Sequence, residues 1–116
     1  MNQKGQMGEM EAARYLRKKG YRILDANYHS RFGEIDLIAE KNGFLAFVEV
    51  KARARETFMA ARESVTKTKQ QKIIRTALLY LSENPMELQP RFDVIEVIGS
   101  PEKDCKITHM ENAFTV

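Results

Sequence analysis

The chain has 116 residues, 43% of them apolar and 30% charged, with a net charge of +3. That composition fits one soluble domain over residues 1–116, and no apolar run approaches the ~20 residues of a membrane span. The opening Met1-Asn2-Gln3-Lys4-Gly5 lacks a signal-peptide core, so a cytoplasmic protein is expected, and the single Cys105 excludes an internal disulfide.

Residues 3–19 read as a helix whose inner face carries Glu9, Ala13 and Leu16, with Met10 and Ala12 nearby. Gly20 is its expected stop, after the cations Arg17, Lys18 and Lys19. Residues 21–28 form a first strand, and residues 29–33 a loop. Residues 33–51 follow as a β-hairpin. Two apolar runs flank Asn42-Gly43, the strongest short signal for a type I′ turn. Lys41 then faces Phe44 and Asp36 faces Glu49, with Glu34 opposite Lys51 and all four polar side chains on one face. Ile38, Leu45 and Phe47 are expected on one apolar face, and Ile35, Leu37, Val48 and Val50 on the other. With both faces apolar, the hairpin is expected at the centre of a sheet covered on both sides.

Residues 52–65 read as a mobile loop with a short helical turn. A second helix spans residues 66–82, with the apolar stripe Ile73, Ala77, Leu78, Tyr80 and Leu81, and Asn84-Pro85 ends it. Residues 91–98 are a strong strand, residues 99–101 a turn and residues 106–110 a short last strand. The order α-β-β-β-α-β-β predicts an α/β domain, a mixed central sheet flanked by helices.

Like charges facing each other destabilise a sheet, so Asp36 opposite Glu49 calls for a compensating cation. Asp36, twelve intervening residues and Glu49-x-Lys51 suit a metal-dependent phosphodiesterase. Paired carboxylates take hard cations such as Mg²⁺ or Mn²⁺, and the metal polarises the scissile phosphate. Lys51 orients the nucleophile or offsets phosphorane charge. Glu9, an acid on an apolar stripe, is the candidate third carboxylate, because a buried charge needs a partner. From Lys51 to Arg75 eight basic residues outweigh two acidic ones, a balance of +6 beside the acidic pair. That segment suits a polyanion and includes Arg53, Arg55, Lys67, Lys69, Gln70 and Lys72.

Each feature has a plainer explanation. A Glu-x-Lys pair is most often a surface salt bridge, a basic run a solvated helix face, and a helical Glu a solvated side chain. Asp93 is either a further ligand or a satisfied structural carboxylate. His29 and His109 have no second histidine at metal-ligand spacing and read as surface or packing residues. Tyr28 and Tyr80 read as core residues with a polar tip.

Gly33-Glu34-Ile35-Asp36-Leu37-Ile38 followed by Phe47-Val48-Glu49-Val50-Lys51-Ala52-Arg53 resembles the signature of the PD-(D/E)xK nuclease superfamily. More narrowly, the chain resembles the YraN-type uncharacterised family, in the Holliday-junction-resolvase-like branch. Gly8-Glu9, Gly20-Tyr21, Lys69, Arg91-Phe92-Asp93-Val94 and Asn112-Ala113-Phe114 extend the likeness over nearly the whole length. The resemblance implies a restriction-endonuclease-like core, with Asp36 and Glu49 as metal-binding carboxylates and Lys51 as the catalytic lysine. It implies Glu9 as the helix-borne acid and Lys69 and Gln70 as polar groups near the site or the phosphates. Glu34 also matches, as an accessory acid, while Ile35 stands where the motif normally has Pro.

Three functions are open at this point. The first is a Mg²⁺- or Mn²⁺-dependent endonuclease acting on DNA, branched DNA included. The second is a non-catalytic or partner-dependent nucleic-acid-binding module, and the third is an interaction domain whose carboxylates merely pair with Lys51 and Arg53. Symmetric junction cleavage would require a two-fold homodimer, for which Phe58, Met59 and Phe114 are the apolar candidates.

Overall fold

The computed structural model describes residues 3–54, 65–99 and 104–116. The order is α1 (Gln3–Lys18), β1 (Arg22–Ser30), β2 (Gly33–Lys41), β3 (Phe44–Arg53), α2 (Lys67–Glu83), β4 (Gln89–Ile98) and β5 (Lys106–Phe114), the α-β-β-β-α-β-β sequence expected. The strands form one mixed sheet in the spatial order β1-β2-β3-β4-β5. β3 and β4 are parallel, and every other neighbouring pair is antiparallel. The region between Arg53 and Val65, read from sequence as a mobile loop with a helical turn, lies mostly outside the described residues, and Arg55, Phe58 and Met59 lie outside with it.

Each sheet face is covered by one helix. Ala12, Ala13 and Leu16 of α1 pack on Leu37, Ala39, Ala46, Val48, Ile95 and Val97. Ile73, Ala77 and Tyr80 of α2 pack on Ile38, Leu45, Phe47, Phe92 and Val94. A stack of rings, Phe47 on Phe92 at 5.7 Å and Phe92 on Phe114 at 5.2 Å, extends this second core to the last strand.

Helix α1 stops where its sequence dictates. Gly20 has φ +93, and the N–H groups of Gly20 and Tyr21 donate to the carbonyls of Arg17 and Leu16 at 3.0 and 2.9 Å, a Schellman closure. Helix α2 starts at Thr66, whose side chain accepts the Lys69 N–H, and closes at Asn84, whose N–H reaches the Tyr80 carbonyl at 2.8 Å. The β2–β3 turn has positive φ at both Asn42 (51°) and Gly43 (82°), as a type I′ turn requires.

The register predicted from that turn holds from Lys41↔Phe44 to Leu37↔Val48. The expected extension to Asp36 opposite Glu49 and Glu34 opposite Lys51 is not part of the ladder. Glu34 pairs with His29 of β1 instead. The face assignment of Ile35 also changes. It packs with Ile38 and Phe47, not with Leu37 and Val48, because the strict alternation of β2 is broken around Asp36. Three other readings are corrected. Met10 and Leu78, placed on or near apolar stripes, are 64% and 60% exposed. Phe114, a candidate for a dimer interface, is buried in the aromatic stack. The last strand continues past Met110 to Phe114.

Candidate active site

At the end of the hairpin ladder opposite the turn, β2 and β3 no longer bond to each other through backbone alone. The Val50 N–H donates to Asp36 Oδ2 at 2.7 Å, so a carboxylate takes the place of a backbone acceptor. This puts the Asp36 carboxyl between the strands, against Glu49. The two side chains belong to residues only 9% and 6% exposed. Burial pushes the Asp36 pKa up to about 9, with the hydrogen bond to Glu49 and its charge adding to the effect. Burial and the neighbouring carboxylate therefore both disfavour two full negative charges on this pair.

The cations come from β3 and α2. Lys69 Nζ lies 2.6 Å from Glu49 Oε2. The contact is close but poorly directed: Glu49 Oε2 is buried and accepts no hydrogen bond of normal geometry. Charge attraction is therefore the better description of that pair. Lys51 is half-buried beside Lys69. Burial, and then the neighbouring ammonium, hold its pKa below the ordinary lysine value. Burial opposes the charge on Lys69 too, but Glu49 outweighs it and the Lys69 pKa is raised. Glu34, Glu49, Lys69 and Lys72 line a cavity of about 300 Å³ at this rim.

Glu9 approaches from the opposite face of the sheet. Gly8 lets α1 sit close to β3: a Cβ added there would lie 2.8 Å from Ala52 Cβ. Burial raises the Glu9 pKa, a hydrogen bond with Asn27 offsets part of that, and the charges of Glu34 and Glu49 raise it further. Glu9 is thus electrostatically part of the site. Among the described residues, however, no three Asp, Glu, His or Cys side chains are grouped closely enough to hold a metal ion.

The model of the uncharacterised protein family UPF0102 matches residues 8–97, which run from the glycine before Glu9 almost to the end of β4 and include Asp36, Glu49, Lys51 and Lys69. The chain belongs to the UPF0102 family. A UPF0102 protein of Alkaliphilus oremlandii is 50% identical over 118 aligned residues, covering 98% of this chain and 100% of the relative. One from Caldanaerobacter subterraneus is 49% identical, covering 95% and 93%. One from Sulfurihydrogenibium is 45% identical, covering 98% and 96%.

Not all of the predicted site residues of this UPF0102 chain converge. Arg53 Nε is ion-paired with Glu96 Oε2 at 2.9 Å, so its charge is largely neutralised within the sheet. Gln70 Nε2 donates to the Val65 carbonyl at 3.0 Å and secures the start of α2. Lys67 lies in a separate cavity with Gln71 and Arg75. Glu34 is half-exposed and 3.3 Å from His29 Nδ1.

Asp93 proves to be the structural alternative. It is fully buried beneath α1 and accepts from Arg91 Nε at 2.9 Å, Arg91 Nη2 at 2.8 Å and the Asn112 N–H at 3.0 Å. Its Oδ2 also lies 2.7 Å from His109 Nε2. Burial would raise the Asp93 pKa, but His109, Arg91 and the Asn112 N–H outweigh it and hold the carboxyl below its ordinary value. His109 Nδ1 reaches the Tyr15 hydroxyl at 3.2 Å, and Arg91 Nη2 donates to the Tyr21 hydroxyl at 2.5 Å. Sequence reasoning missed this network, as it missed Thr76, a buried hydroxyl that donates to the Lys72 carbonyl at 2.8 Å and lies 3.2 Å from Ser30 Oγ.

Proposed function

We propose that this UPF0102 protein is a metal-dependent phosphodiester hydrolase, an endonuclease acting on DNA. The observation that carries the reading is the buried Asp36–Glu49 carboxyl pair at the point where the hairpin ladder ends, with Lys51 alongside. An all-oxygen donor set suits a hard divalent cation, which would displace Lys69 Nζ from Glu49 Oε2. Asp36 and Glu49 would hold Mg²⁺ or Mn²⁺, with Glu9 adding negative potential from the other face. The bound cation would supply a Lewis acid for a phosphate oxygen and for water.

The remaining roles belong to the chain itself. Lys51, an amine with a lowered pKa, neutralises charge that develops on the phosphate oxygens and can release or take up a proton at Nζ. Lys69 holds Glu49 and stands ready to contact a phosphate. The first turn of α2 contains no acidic residue, although a helix N-terminus favours anions. Lys67, Lys69 and Lys72 in the opening turns add to that preference for a polyanion. The test is a panel of linear, nicked, flap and four-way DNA, plus RNA, incubated with Mg²⁺ or Mn²⁺. Asp36→Ala and Glu49→Ala should abolish cleavage while leaving the fold intact. Lys51→Ala should lower the rate about 100- to 1000-fold. Cleavage by both carboxylate variants at the wild-type rate would refute the reading.

A second reading is a nucleic-acid-binding module that is non-catalytic or active only with a partner. It is favoured by the Lys69–Glu49 contact, which already gives Glu49 a cation, and by the distance of Glu9 from coordination. Steeply salt-dependent binding without cleavage of any member of the panel would select it.

A further inference from the structure

Helix α1 does not close fully onto the edge strand β1. Between them runs a cavity of about 720 Å³, larger than the one between the carboxylates and α2. Its two ends differ in charge. Glu9, hydrogen-bonded to Asn27, stands at the active-site end, and Arg14, Arg17 and Lys18 line the other. The spacing follows from the helix. Glu9, Ala13 and Arg17 recur at intervals of four, as do Met10, Arg14 and Lys18, so two adjacent ridges of α1 form one wall. Met10 and Ala26 are exposed in it, giving an apolar lining below a basic rim. Arg14 leans on Glu11 at 3.4 Å, which leaves Arg17 and Lys18 as the principal cations.

We infer that this groove takes an unpaired nucleic-acid strand and leads it to the carboxylate site. A positively charged groove tracks a single-stranded backbone, and here aliphatic side chains, not aromatic rings, give the bases an apolar surface to rest on. The volume is that of a pocket for a drug-sized ligand, enough for a short run of unpaired nucleotides. Glu9 at the groove mouth lies across the sheet from Asp36 and Glu49 but within electrostatic reach of both, so a strand in the groove arrives at the same end of the sheet as the acid pair. The inference rests on the nuclease reading for its direction and narrows the substrate class to nucleic acid with an unpaired segment, such as a flap, gap or single-stranded arm.

The experiment measures binding without catalysis, by fluorescence anisotropy in EDTA. A thymidine 12-mer is compared with a duplex of equal length across a salt series. Two variants of the full chain alter the groove differently. Arg17→Ala with Lys18→Ala removes charge, and Ala26→Tyr fills the space while keeping every charge; thermal melts verify that both fold. The expected result is at least a fivefold loss of single-strand affinity in each, with duplex affinity changed less than twofold. The charge variant should also have a shallower salt dependence, by about 1.4 in the slope of log K against log salt. Wild-type single-strand affinity in both variants, or equal loss for both probes, overturns the groove assignment and leaves the nuclease reading standing. Cleavage of fully paired and flap substrates at equal rates overturns it as well. A wild-type protein that neither binds nor cuts any probe overturns both.

Discussion

Two buried aspartates in this chain have opposite effects on stability. The Asp36 pKa is raised, so between the ordinary carboxylate range and about pH 9 the folded state holds a proton that the unfolded state has lost. Its contribution is greatest below that window and falls as pH rises through it. Asp36→Asn, which keeps an acceptor for the Val50 N–H, should therefore stabilise the metal-free protein at pH 8 and flatten its melting temperature between pH 6 and 9. The same variant should gain nothing from Mn²⁺, whereas wild type should gain several degrees. Asp93 works the other way. Its pKa is lowered, so its contribution is present above the ordinary carboxylate range and is lost as pH falls through the depressed value. Asp93→Ala strips four hydrogen bonds from a fully buried centre and leaves Arg91 with only the exposed Glu111 at 3.9 Å as an acidic partner, for an expected cost of about 3–5 kcal/mol in denaturant unfolding. In sequence the turn register brings Asp36 and Glu49 near each other, although the ladder itself ends at Leu37 and Val48; for Asp93 the structural reading was open, but its partners were not legible. Asp93 is joined to His109, which in turn meets Tyr15 of α1, and no local pattern links positions so far apart.

At the level of elements, what the sequence could tell depended on how local the cause was. Turn chemistry at Asn42-Gly43 and the glycine stop at Gly20 are each set within a few residues, and each is where the pattern puts it. Leu78 was misread because an i+4 stripe does not tell which of its flanks meets the sheet, and Ile35 because alternation fails where a side chain takes over a ladder bond. Gly8 gives a sharper test. A helical glycine costs about 1 kcal/mol relative to alanine, so Gly8→Ala would stabilise an isolated α1. Here the new methyl would meet Ala52 Cβ at 2.8 Å. Net destabilisation of about 1–3 kcal/mol is expected, with lower cleavage activity as Glu9 is displaced; an alanine variant more stable than wild type would refute the close-packing account. Gly43→Ala should cost about 1 kcal/mol through its positive φ alone, without touching the site.

At the level of the whole molecule, the two helices cover opposite faces yet both deliver charge to one end of the sheet, acid from α1 and base from α2. That arrangement was only half legible. The basic balance after Lys51 was countable, but which of its residues stay available was not, since Arg53 turns to Glu96 and Gln70 to Val65. Lys69→Ala should therefore weaken nucleic-acid binding and its salt dependence, while Arg53→Ala should mainly lower thermal stability. Among the described residues no helix is long and apolar enough to cross a membrane.

The spatial order of the strands repeats their order along the chain. Three of the four neighbour contacts can therefore zip from adjacent segments, and only β3 with β4 must wait for a long crossover to return. Both members of the acid pair sit in the early-zipping part, whereas Lys69 arrives with the crossover. During refolding the negative centre should thus be built first and its counter-charge added last. A divalent ion present in the buffer should then accelerate the first half of the reaction more than the second, a difference that stopped-flow traces with and without Mn²⁺ would resolve.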